Sequence, residues 1–544
     1  MIILIIYIFI LIQIMTFPQS SSNYFYALNS INGDSIKKHL FYLASDELQG
    51  RGLGSIGSEL ASNYISNYFS QLRLKKIPNK NSYFQEIPMH GSKPLVSSEL
   101  IVVVDSSEKR LDYGLDYFLF KSGQQTFIPQ PLEIIFVGYG IVAPEFDYND
   151  YQSVDVEGKV VIYLDGEPYS EDPEFFNGKK YTRYSSVELK RRTAISRGAA
   201  GTILIPMENY TNWADVKRDF DIEDVNLAYD LSSNLSLIIN PKSLEIFFEG
   251  SDYSYDDLIK MHLKNRIHSF KLKSKLKFKG AFKERSFIER NVIGILSGTD
   301  KKLKDSYLIV SAHYDHLGIG KSIDGDSIYN GALDNAIGVA VMLELARVLS
   351  QLELKRTIIF IATTGEERGL LGAKYYTENP LFPLYKTVAN LNIDGIALFR
   401  DFNSLIVLGK EFSNLGLFAE QTAKRFGLKI EDIQDEIMNF GVFSNSDHFA
   451  FAQAGIPSVI IIEGFENKSL TRDEVKQEFM NYYENYYHTP KDDLKQNIDL
   501  IAAERHAKIL FDFIYNLASS IEAPEWFSDS PFLQNYLRNL AEKK

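Results

Sequence analysis

Two histidines and four carboxylates occupy key positions in five short segments of the C-terminal half of the chain. The segments read Ser311-Ala-His-Tyr-Asp-His316, Gly331-Ala-Leu-Asp-Asn335, Thr364-Gly-Glu-Glu367, Asn392-Ile-Asp-Gly395 and Tyr487-His-Thr-Pro490. Imidazole nitrogens and carboxylate oxygens are ligands that zinc accepts, and a catalytic zinc site keeps one position for water. The set therefore predicts a metal centre built by one domain.

The number of ligands suits a pair of zinc ions, which lie about 3.5–4 Å apart in two-metal sites and can share a bridging carboxylate. The ligands available are His313 and Asp394 for one ion, Glu367 and His488 for the other, and Asp334 as the bridge. Glu366 is then left over, and neighbouring side chains of an extended segment diverge. A glutamate that binds no metal but lies beside a metal-bound water is what a general base requires.

Other polar residues in these segments have supporting or neutral interpretations. Asp315 follows His313 by two residues, where its carboxylate would accept a hydrogen bond from the imidazole and fix its tautomer. Asn335 precedes a strongly helical stretch and is predicted to cap it. His316 and Asp326 are interpreted as bystanders.

The elements that must position these residues alternate between strand and helix from residue 291 to about residue 517. Predicted strands cover residues 292–296, 308–311, 357–363, 387–393, 404–408 and 458–462. Predicted helices cover residues 336–350, 371–378, 414–426 and 500–517. This alternation predicts an α/β fold with a mixed, largely parallel sheet covered by helices on both faces. Ligands of such sheets bind at the carboxyl ends of the strands, where His313, Glu366, Glu367 and Asp394 are expected.

The region before this domain has a different pattern. Residues 34–75 have helical spacing around a glycine-rich loop at residues 50–57, which indicates a helix–loop–helix; a phosphate-binding loop is the weaker alternative, because no strand precedes it. Short apolar runs at residues 132–138, 160–164 and 201–205 predict strands of a separate small domain. Lysines alternate with apolar residues over 270–279, and we interpret this lysine stripe as protection of an edge strand.

Composition limits the class of protein. Hydrophobic residues make up 45% and charged residues 24% of the 544, as in ordinary globular domains. The net charge of −13 argues against nucleic acid as a partner. The absence of cysteine excludes thiolate nucleophiles, cysteine-type zinc sites and disulfides.

The N-terminus is almost entirely apolar over residues 2–15, which is shorter than the ~20 residues needed to span a bilayer. It predicts a signal peptide over residues 1–22 and hence export to a periplasm, the cell surface or the medium. An uncleaved N-terminal anchor is the alternative.

In these segments the sequence resembles the M28 family of zinc peptidases. The matching stretches are residues 312–318, 330–335, 365–372, 392–394, 446–449 with 455–457, and 487–490. The resemblance implies His313, Asp334, Glu367, Asp394 and His488 as ligands of two Zn²⁺ ions. It also implies Asp334 as the bridge, Glu366 as the base and an often cis peptide after Asp334.

The rest of the chain also resembles such enzymes. Residues 136–144, 155–161 and 197–201 look like a protease-associated domain, and residues 43–51 resemble the N-terminal helical region of the same peptidases. The expected organisation is a signal peptide (1–22), an N-terminal helical part (30–95), a protease-associated region (96–285), a catalytic zinc peptidase domain (286–520) and a C-terminal tail (521–544).

These observations predict an exported di-zinc exopeptidase that acts on peptides, an aminopeptidase in which a metal-bound hydroxide attacks and Glu366 carries the proton. A carboxypeptidase or dipeptidase would use the same ligands. A glutaminyl cyclase and a ligand-binding relative without activity are further alternatives, and both conflict with the complete ligand set. Ser446-Asp447-His448 could suggest a serine hydrolase, but the sequence has no Gly-x-Ser-x-Gly elbow, so we expect structural or pocket roles there.

Overall fold

A computed structural model describes residues 19–172, 174–176, 178, 182–207, 213–220, 222–395, 398–432 and 443–543. The apolar run 2–15 lies outside these ranges, and only residues 19–22 of the predicted signal peptide are described. Within them, every helix is too short or too polar to cross a membrane. The chain divides into two compact units, unit 1 (Met1–Ile87, Ile288–Gln434 and Val442–Lys544) and unit 2 (Pro88–Phe287 and Asp435–Gly441).

The strands are, in chain order, β1 (Phe84–Pro94), β2 (Glu99–Val104), β3 (Ser107–Leu111), β4 (Tyr117–Leu119), β5 (Phe127–Phe136), β6 (Val142–Ala143), β7 (Tyr148–Asn149), β8 (Val160–Leu164), β9 (Gly201–Ile205), β10 (Asp224–Leu227), β11 (Leu235–Ile239), β12 (Phe270–Lys279), β13 (Phe282–Leu296), β14 (Tyr307–His313), β15 (Gly318–Ile323), β16 (Asp326–Tyr329), β17 (Thr357–Thr363), β18 (Thr387–Asn392), β19 (Ser404–Leu408), β20 (Lys429–Glu431) and β21 (Ser458–Glu463). The α-helices are α1 (Gln19–Ser30), α2 (Gly33–Leu43), α3 (Ile56–Gln71), α4 (Val187–Ser196), α5 (Trp213–Phe220), α6 (Glu245–Phe248), α7 (Tyr255–Leu263), α8 (Ile337–Leu349), α9 (Leu371–Glu378), α10 (Leu415–Arg425), α11 (His448–Gln453), α12 (Arg472–Asn485), α13 (Leu500–Ser519) and α14 (Leu533–Ala541).

Unit 1 is organised around a mixed sheet in which β13, β17, β14, β18, β21, β19 and β20 are neighbours in that order. The central strands β17, β14, β18 and β21 run parallel, whereas β13 and β19 are antiparallel to their neighbours β17 and β21. All seven residues of β14 and all seven of β17 are buried. Full burial explains why these strands read as continuous apolar runs rather than as alternating ones.

Both faces of this sheet are covered. Leu308, Val310 and Ala312 of β14 pack into a core that also contains helices α8 and α13, whereas Ile309 between them packs into a second core with α9 and α11. Successive side chains of a strand point to opposite faces, so the two cores lie on opposite sides of the sheet. The predicted α/β fold, with its mixed and partly parallel sheet, is confirmed.

Unit 2 has its own mixed sheet, ordered β3, β2, β12, β5, β8, β9, β11, β4. Strand β12 pairs with β2 on one side and β5 on the other, so the prediction that its lysine stripe protects an edge strand is wrong. Lys277 instead pairs with Glu108 at 2.6 Å, and Lys271 pairs with Glu133. A period of two identifies which face of a strand is buried but not whether the strand has one neighbour or two. The assignment of this unit to the protease-associated family stays a prediction.

The chain enters and leaves unit 2 within two long strands, β1 and β13. In unit 1 the amide of Ile293 donates to the carbonyl of Tyr83 at 2.7 Å, and in unit 2 the amide of Leu95 donates to the carbonyl of Ala281 at 2.8 Å. The Leu95–Ala281 hydrogen bond, which lies in unit 2, therefore joins the two ends of the segment that forms this unit.

The terminal segments belong to unit 1. Helices α2 and α3 flank a 3₁₀ turn, Asp46–Arg51, as the predicted helix–loop–helix requires. Residues after 521 contain helix α14, whose Asn535 and Asn539 side chains donate to the carbonyls of Gln453 and Ala454 at 2.7 and 2.6 Å. These bonds cap the carboxyl end of α11.

Candidate metal centre

His313 is the last residue of β14 and is 1% exposed. Its Nε2 lies 3.2 Å from Asp334 Oδ1 and 3.4 Å from Asp394 Oδ1. Its Nδ1 lies 3.2 Å from the backbone carbonyl oxygen of Asp315. If Nδ1 carries the proton and donates to that carbonyl, Nε2 has a free lone pair directed at the two carboxylates.

His488 lies opposite His313, on a residue with a left-handed φ of 55°. Its Nε2 is 3.2 Å from Asp334 Oδ2 and 3.1 Å from Glu367 Oε2. The neighbouring ring of Tyr487 stacks on the imidazole with a centroid separation of 3.8 Å. The second histidine thus has its own pair of carboxylates, one of which it shares with the first.

Asp334 is the shared residue, and its two oxygens face different histidines. It lies at the start of α8 in the turn Ala332–Ala336, and the peptide between Asp334 and Asn335 is cis, as the family resemblance implied. Its amide donates to the carboxylate of Asp492 at 3.0 Å. Asn335 accepts a hydrogen bond from the amide of Gly338 at 3.1 Å, but Ala336 and not Asn335 occupies the N-cap position of α8, one residue later than predicted.

The ligand-to-ligand distances fit tetrahedral zinc. Zinc lies about 2.0–2.2 Å from nitrogen and oxygen ligands, so two ligands of one tetrahedron are roughly 3.3–3.5 Å apart. The four nitrogen–oxygen distances described above range from 3.1 to 3.4 Å. The donor set therefore suits two zinc-type sites joined by Asp334, without rearrangement.

The paired glutamates follow β17 in a short turn, Glu366–Arg368, between Gly365 and Gly369. Both glycines have left-handed φ values, 70° and 97°, which other residues adopt at a cost. Glu367 faces His488, whereas one Glu366 oxygen lies within 4.8 Å of ligand atoms of His313 and Glu367. Glu366 thus lies next to His313 and Glu367, and its role as the base stays a prediction.

The metal centre brings several buried carboxylates close to the two histidines, and their charges shift one another's pKa values. Burial lowers the pKa of His313 and His488, but the carboxylates outweigh it; the pKa of His488 rises to about 10 through Glu367 and Asp334. Burial raises the pKa of Glu366 well above its usual range, and Asp394 and Glu367 raise it further. A buried group of carboxylates like this is stabilised by cations, and dications at the centre would supply that charge.

The predicted role of Asp315 needs a correction in detail. The contact with His313 Nδ1 comes from the backbone carbonyl of Asp315, while the nearest carboxylate oxygen is 3.8 Å away. That carboxylate instead accepts the amide of Glu366 at 3.2 Å. Burial raises the pKa of Asp315 to about 7. The residue therefore links the first histidine segment to the glutamate turn.

The interpretation of His316 as a bystander is wrong. This buried residue places Nδ1 2.5 Å from Glu367 Oε1 and 3.9 Å from Asp334 Oδ2. It thereby holds one oxygen of Glu367 while the other faces His488. The sequence signal was a second histidine in His-Tyr-Asp-His, but no spacing rule shows that its ring turns toward a residue 51 positions later.

Ser446 and Asp447, which precede α11, contact Asp394 and the ends of β18 and β17. Ser446 Oγ donates to Asp394 Oδ2 at 2.5 Å and accepts the side-chain amide of Asn392 at 2.7 Å. Asp447 accepts the hydroxyl of Thr363, the last residue of β17. Ser446, Asp447 and His448 do not form a relay to a nucleophile, which agrees with the structural role expected for them.

With this geometry in place, comparison with known proteins identifies the catalytic fold. The family model described as "Peptidase family M28" matches residues 291–514. We call this segment, which matches that family, the M28 domain. The M28 domain contains all five predicted ligands, both glutamates, Asp315 and His316.

Relatives of the M28 domain carry names of peptidases. Aminopeptidase YwaD of Bacillus subtilis (strain 168) is 31% identical over 219 residues, which are 40% of this chain and 41% of that protein. A probable zinc metalloprotease of Pyrenophora teres f. teres (strain 0-1) is 38% identical over 103 residues, which are 19% of this chain and 22% of that protein. The chain thus matches less than half the length of these curated relatives.

A solved structure shares the overall fold. An aminopeptidase from Aneurinibacillus sp. strain AM-1 superposes with a TM-score of 0.53 at 19% identity, over 91% of this chain and 96% of that one. The likeness therefore extends well beyond the M28 domain.

A cavity of about 390 Å³ opens in unit 1. Its lining includes Leu333, which precedes Asp334, together with Tyr482, Tyr486 and Arg400, which pairs with Asp499 at 2.8 Å. The five predicted ligands and Glu366 are not among its lining residues.

Proposed function

We propose that the protein is an exported aminopeptidase that uses two zinc ions to hydrolyse N-terminal residues from peptides. The observation that carries the proposal is the division of Asp334, whose two oxygens face two histidines at 3.2 Å each. The name of the Bacillus subtilis relative, which is an aminopeptidase, supports the choice of substrate end.

In this proposal His313 and Asp394 would hold one zinc, Glu367 and His488 would hold the other, and Asp334 would contribute one oxygen to each. When bound, the two ions would supply Lewis acidity toward the scissile carbonyl and the attacking water. Glu366 accepts the proton of the attacking water and delivers it to the leaving amine. His316 and Ser446 keep Glu367 and Asp394 oriented during these steps.

The carboxylates also suit the substrate's free end. An α-ammonium group is attracted to buried carboxylates, and Asp394 is the candidate near His313. A peptide with a blocked N-terminus lacks this attraction.

The decisive experiment measures hydrolysis of aminoacyl-p-nitroanilides, each with a free and with an acetylated amine. We expect cleavage of the free-amine substrates alone, loss of activity on chelation, and recovery with two zinc ions per chain. Equal cleavage of both forms, or activity that resists chelation, would refute the proposal. Cleavage of neither form, together with hydrolysis at free carboxyl termini, would favour a carboxypeptidase or dipeptidase.

Export is tested separately. When the full-length gene product is expressed, the protein should be recovered outside the cytoplasm with a new N-terminus near residue 22. The reason is that the apolar run 2–15 matches a signal sequence in length. An intact Met1 on exported protein would indicate an anchor, and retention in the cytoplasm would refute export.

A further inference from the structure

Arg51 lies outside the M28 domain, in the Gly50-Arg51-Gly52 stretch of the glycine-rich loop, and is fully buried. The four hydrogen bonds described for its side chain all go to backbone carbonyls. They reach Leu43 at 2.5 Å, Tyr314 and Asn330 at 2.6 Å, and Gly331 at 2.9 Å. A planar guanidinium has five N–H groups in a fixed fork, and this arrangement uses most of them.

Burying such a cation is costly unless its hydrogen bonds are made and opposite charge lies near. Burial lowers the pKa of Arg51 to about 10, and Asp334, Asp315 and Asp492 counteract that effect. The guanidinium therefore stays charged at neutral pH, behind the carboxylates of the metal centre. It binds none of them directly in the described structure, so its contribution acts through the backbone.

The flanking glycines make this position possible. A Cβ on Gly50, which has a φ of +65°, would lie 2.3 Å from the carbonyl oxygen of Tyr329 and 2.6 Å from that of Gly318. A Cβ on Gly52 would lie 2.9 Å from the Cα of Gly318. The backbone at Gly50 and Gly52 thus packs directly on the hairpin of β15 and β16. This close packing brings the Arg51 side chain within hydrogen-bond distance of the carbonyls of Asn330 and Gly331.

Three of the four carbonyls that Arg51 binds belong to segments that carry predicted metal ligands. Tyr314 directly follows His313, while Asn330 and Gly331 directly precede the turn Ala332–Ala336, which contains Asp334. The opposite side of that turn is held by Asp492, which accepts the amides of Leu333 at 2.9 Å and Asp334 at 3.0 Å. The Arg51 guanidinium therefore holds the carbonyl oxygens of Asn330 and Gly331, and the Asp492 carboxylate holds the amides of Leu333 and Asp334.

We propose that Arg51 is a positioning residue of the metal centre and that Asp492 is its counterpart. Together they fix the backbone of residues 330–334, so that the two oxygens of Asp334 keep their separate directions. The inference rests on the proposed zinc function. It makes the N-terminal helical segment part of the site, although the family match begins only at residue 291.

The test is Arg51→Lys in the full chain, because lysine keeps the positive charge but has only three donors on a single nitrogen. Zinc affinity of the purified protein is measured by competition with a chelator, without substrate. We expect affinity for both ions to fall about 10–100-fold, the usual effect of losing a residue that orients metal ligands.

The matched control is Arg356→Lys. Arg356 is also buried, at 2% exposure, and donates to the carbonyls of Ile521 and Glu522 at 3.1 Å each, but it precedes β17 and so lies at the other end of the sheet. The Arg356→Lys substitution should lower the melting temperature of the metal-free protein and leave its zinc affinity within twofold of wild type.

The outcomes separate the two proposals. If wild-type protein binds no zinc, the proposed function fails and the inference fails with it. If wild type binds two zinc ions and Arg51→Lys binds them equally well while melting lower, as Arg356→Lys does, Arg51 is only structural and the inference is overturned. Should Arg51→Lys not fold, Asp492→Asn decides, with the same affinity loss expected and unchanged affinity contradicting the proposal.

Discussion

The two units both bury ionisable groups, but the metal centre of unit 1 differs from the buried charges of unit 2 in the partners of its carboxylates. In unit 2, Asp150 accepts the amides of Tyr139 and Ile141 at 3.0 and 2.9 Å, and the buried ammonium of Lys190 donates to the carbonyls of Leu164 and Gly166. In unit 1 the carboxylates of the centre face histidine nitrogens. A buried charge whose hydrogen bonds are made to backbone groups has no need of a further ligand. Carboxylate and histidine side chains that converge on one point, by contrast, form a site for a cation.

The position of each group in its sheet explains the contrast. Unit 1 places His313, Glu367 and Asp394 after the parallel strands β14, β17 and β18, whose carboxyl ends meet at one edge. The buried charges of unit 2 instead brace loops of the same unit. Burial of charge alone is therefore a weak indicator of function, and convergence of ligands at strand ends is a strong one.

The largest effect should follow loss of the shared ligand. Asp334→Ala removes one oxygen from each predicted zinc site, so both ions should be lost and turnover should fall to background. Metal content and hydrolysis rate are the measurements. Loss of a single ion would contradict the bridging role, and Asp150→Ala in unit 2 should keep both ions.

The next effect concerns proton transfer. Glu366→Gln keeps the size of the side chain but removes its basicity, so kcat should fall about 10²–10⁴-fold with zinc content unchanged. Glu367→Gln is the matched comparison, since it should weaken zinc binding as well. Activity of Glu366→Gln within a few-fold of wild type would exclude this residue as the base.

A smaller effect is expected at His316, which orients a ligand without being one of the five predicted. His316→Ala frees Glu367 Oε1, and zinc affinity should drop roughly 10–100-fold. His316→Gln, which can still donate to Glu367, should recover part of the loss. Equal affinity of all three proteins would return His316 to the role of bystander.

The smallest effect on the centre should come from unit 2. Lys190→Met leaves the carbonyls of Leu164 and Gly166 without this donor and should destabilise the unit by about 2–4 kcal/mol. Zinc affinity and KM should stay unchanged. The exposed Lys275→Met is the control, with a change within about 0.5 kcal/mol. A change in zinc affinity at Lys190 would break the distinction between the two units.

Much of unit 1 could be predicted because its signals are local. Strand β17 and helix α9 have the predicted limits, since a fully buried run and its flanking turn residues define each. The five predicted ligands were chosen by residue type, and His313, Glu367 and Asp394 also by their place at the end of a strand. Periodicity carries no information about contacts between residues far apart in sequence. Such contacts decide which strands flank β12, where the ring of His316 points and which carbonyls Arg51 binds.

The insertion of unit 2 into the chain also bears on the order of folding. Strand pairing in unit 1 joins Tyr83 to Ile293 across about 200 residues, and closing a loop of that length costs roughly 2 kcal/mol more than closing one of 20. The Leu95–Ala281 bond shows that unit 2, once folded, already brings these ends together. We therefore expect pulsed hydrogen exchange during refolding to protect β8 and β9 before β14 and β17. Earlier protection of β14 and β17 would show that unit 1 closes without this help.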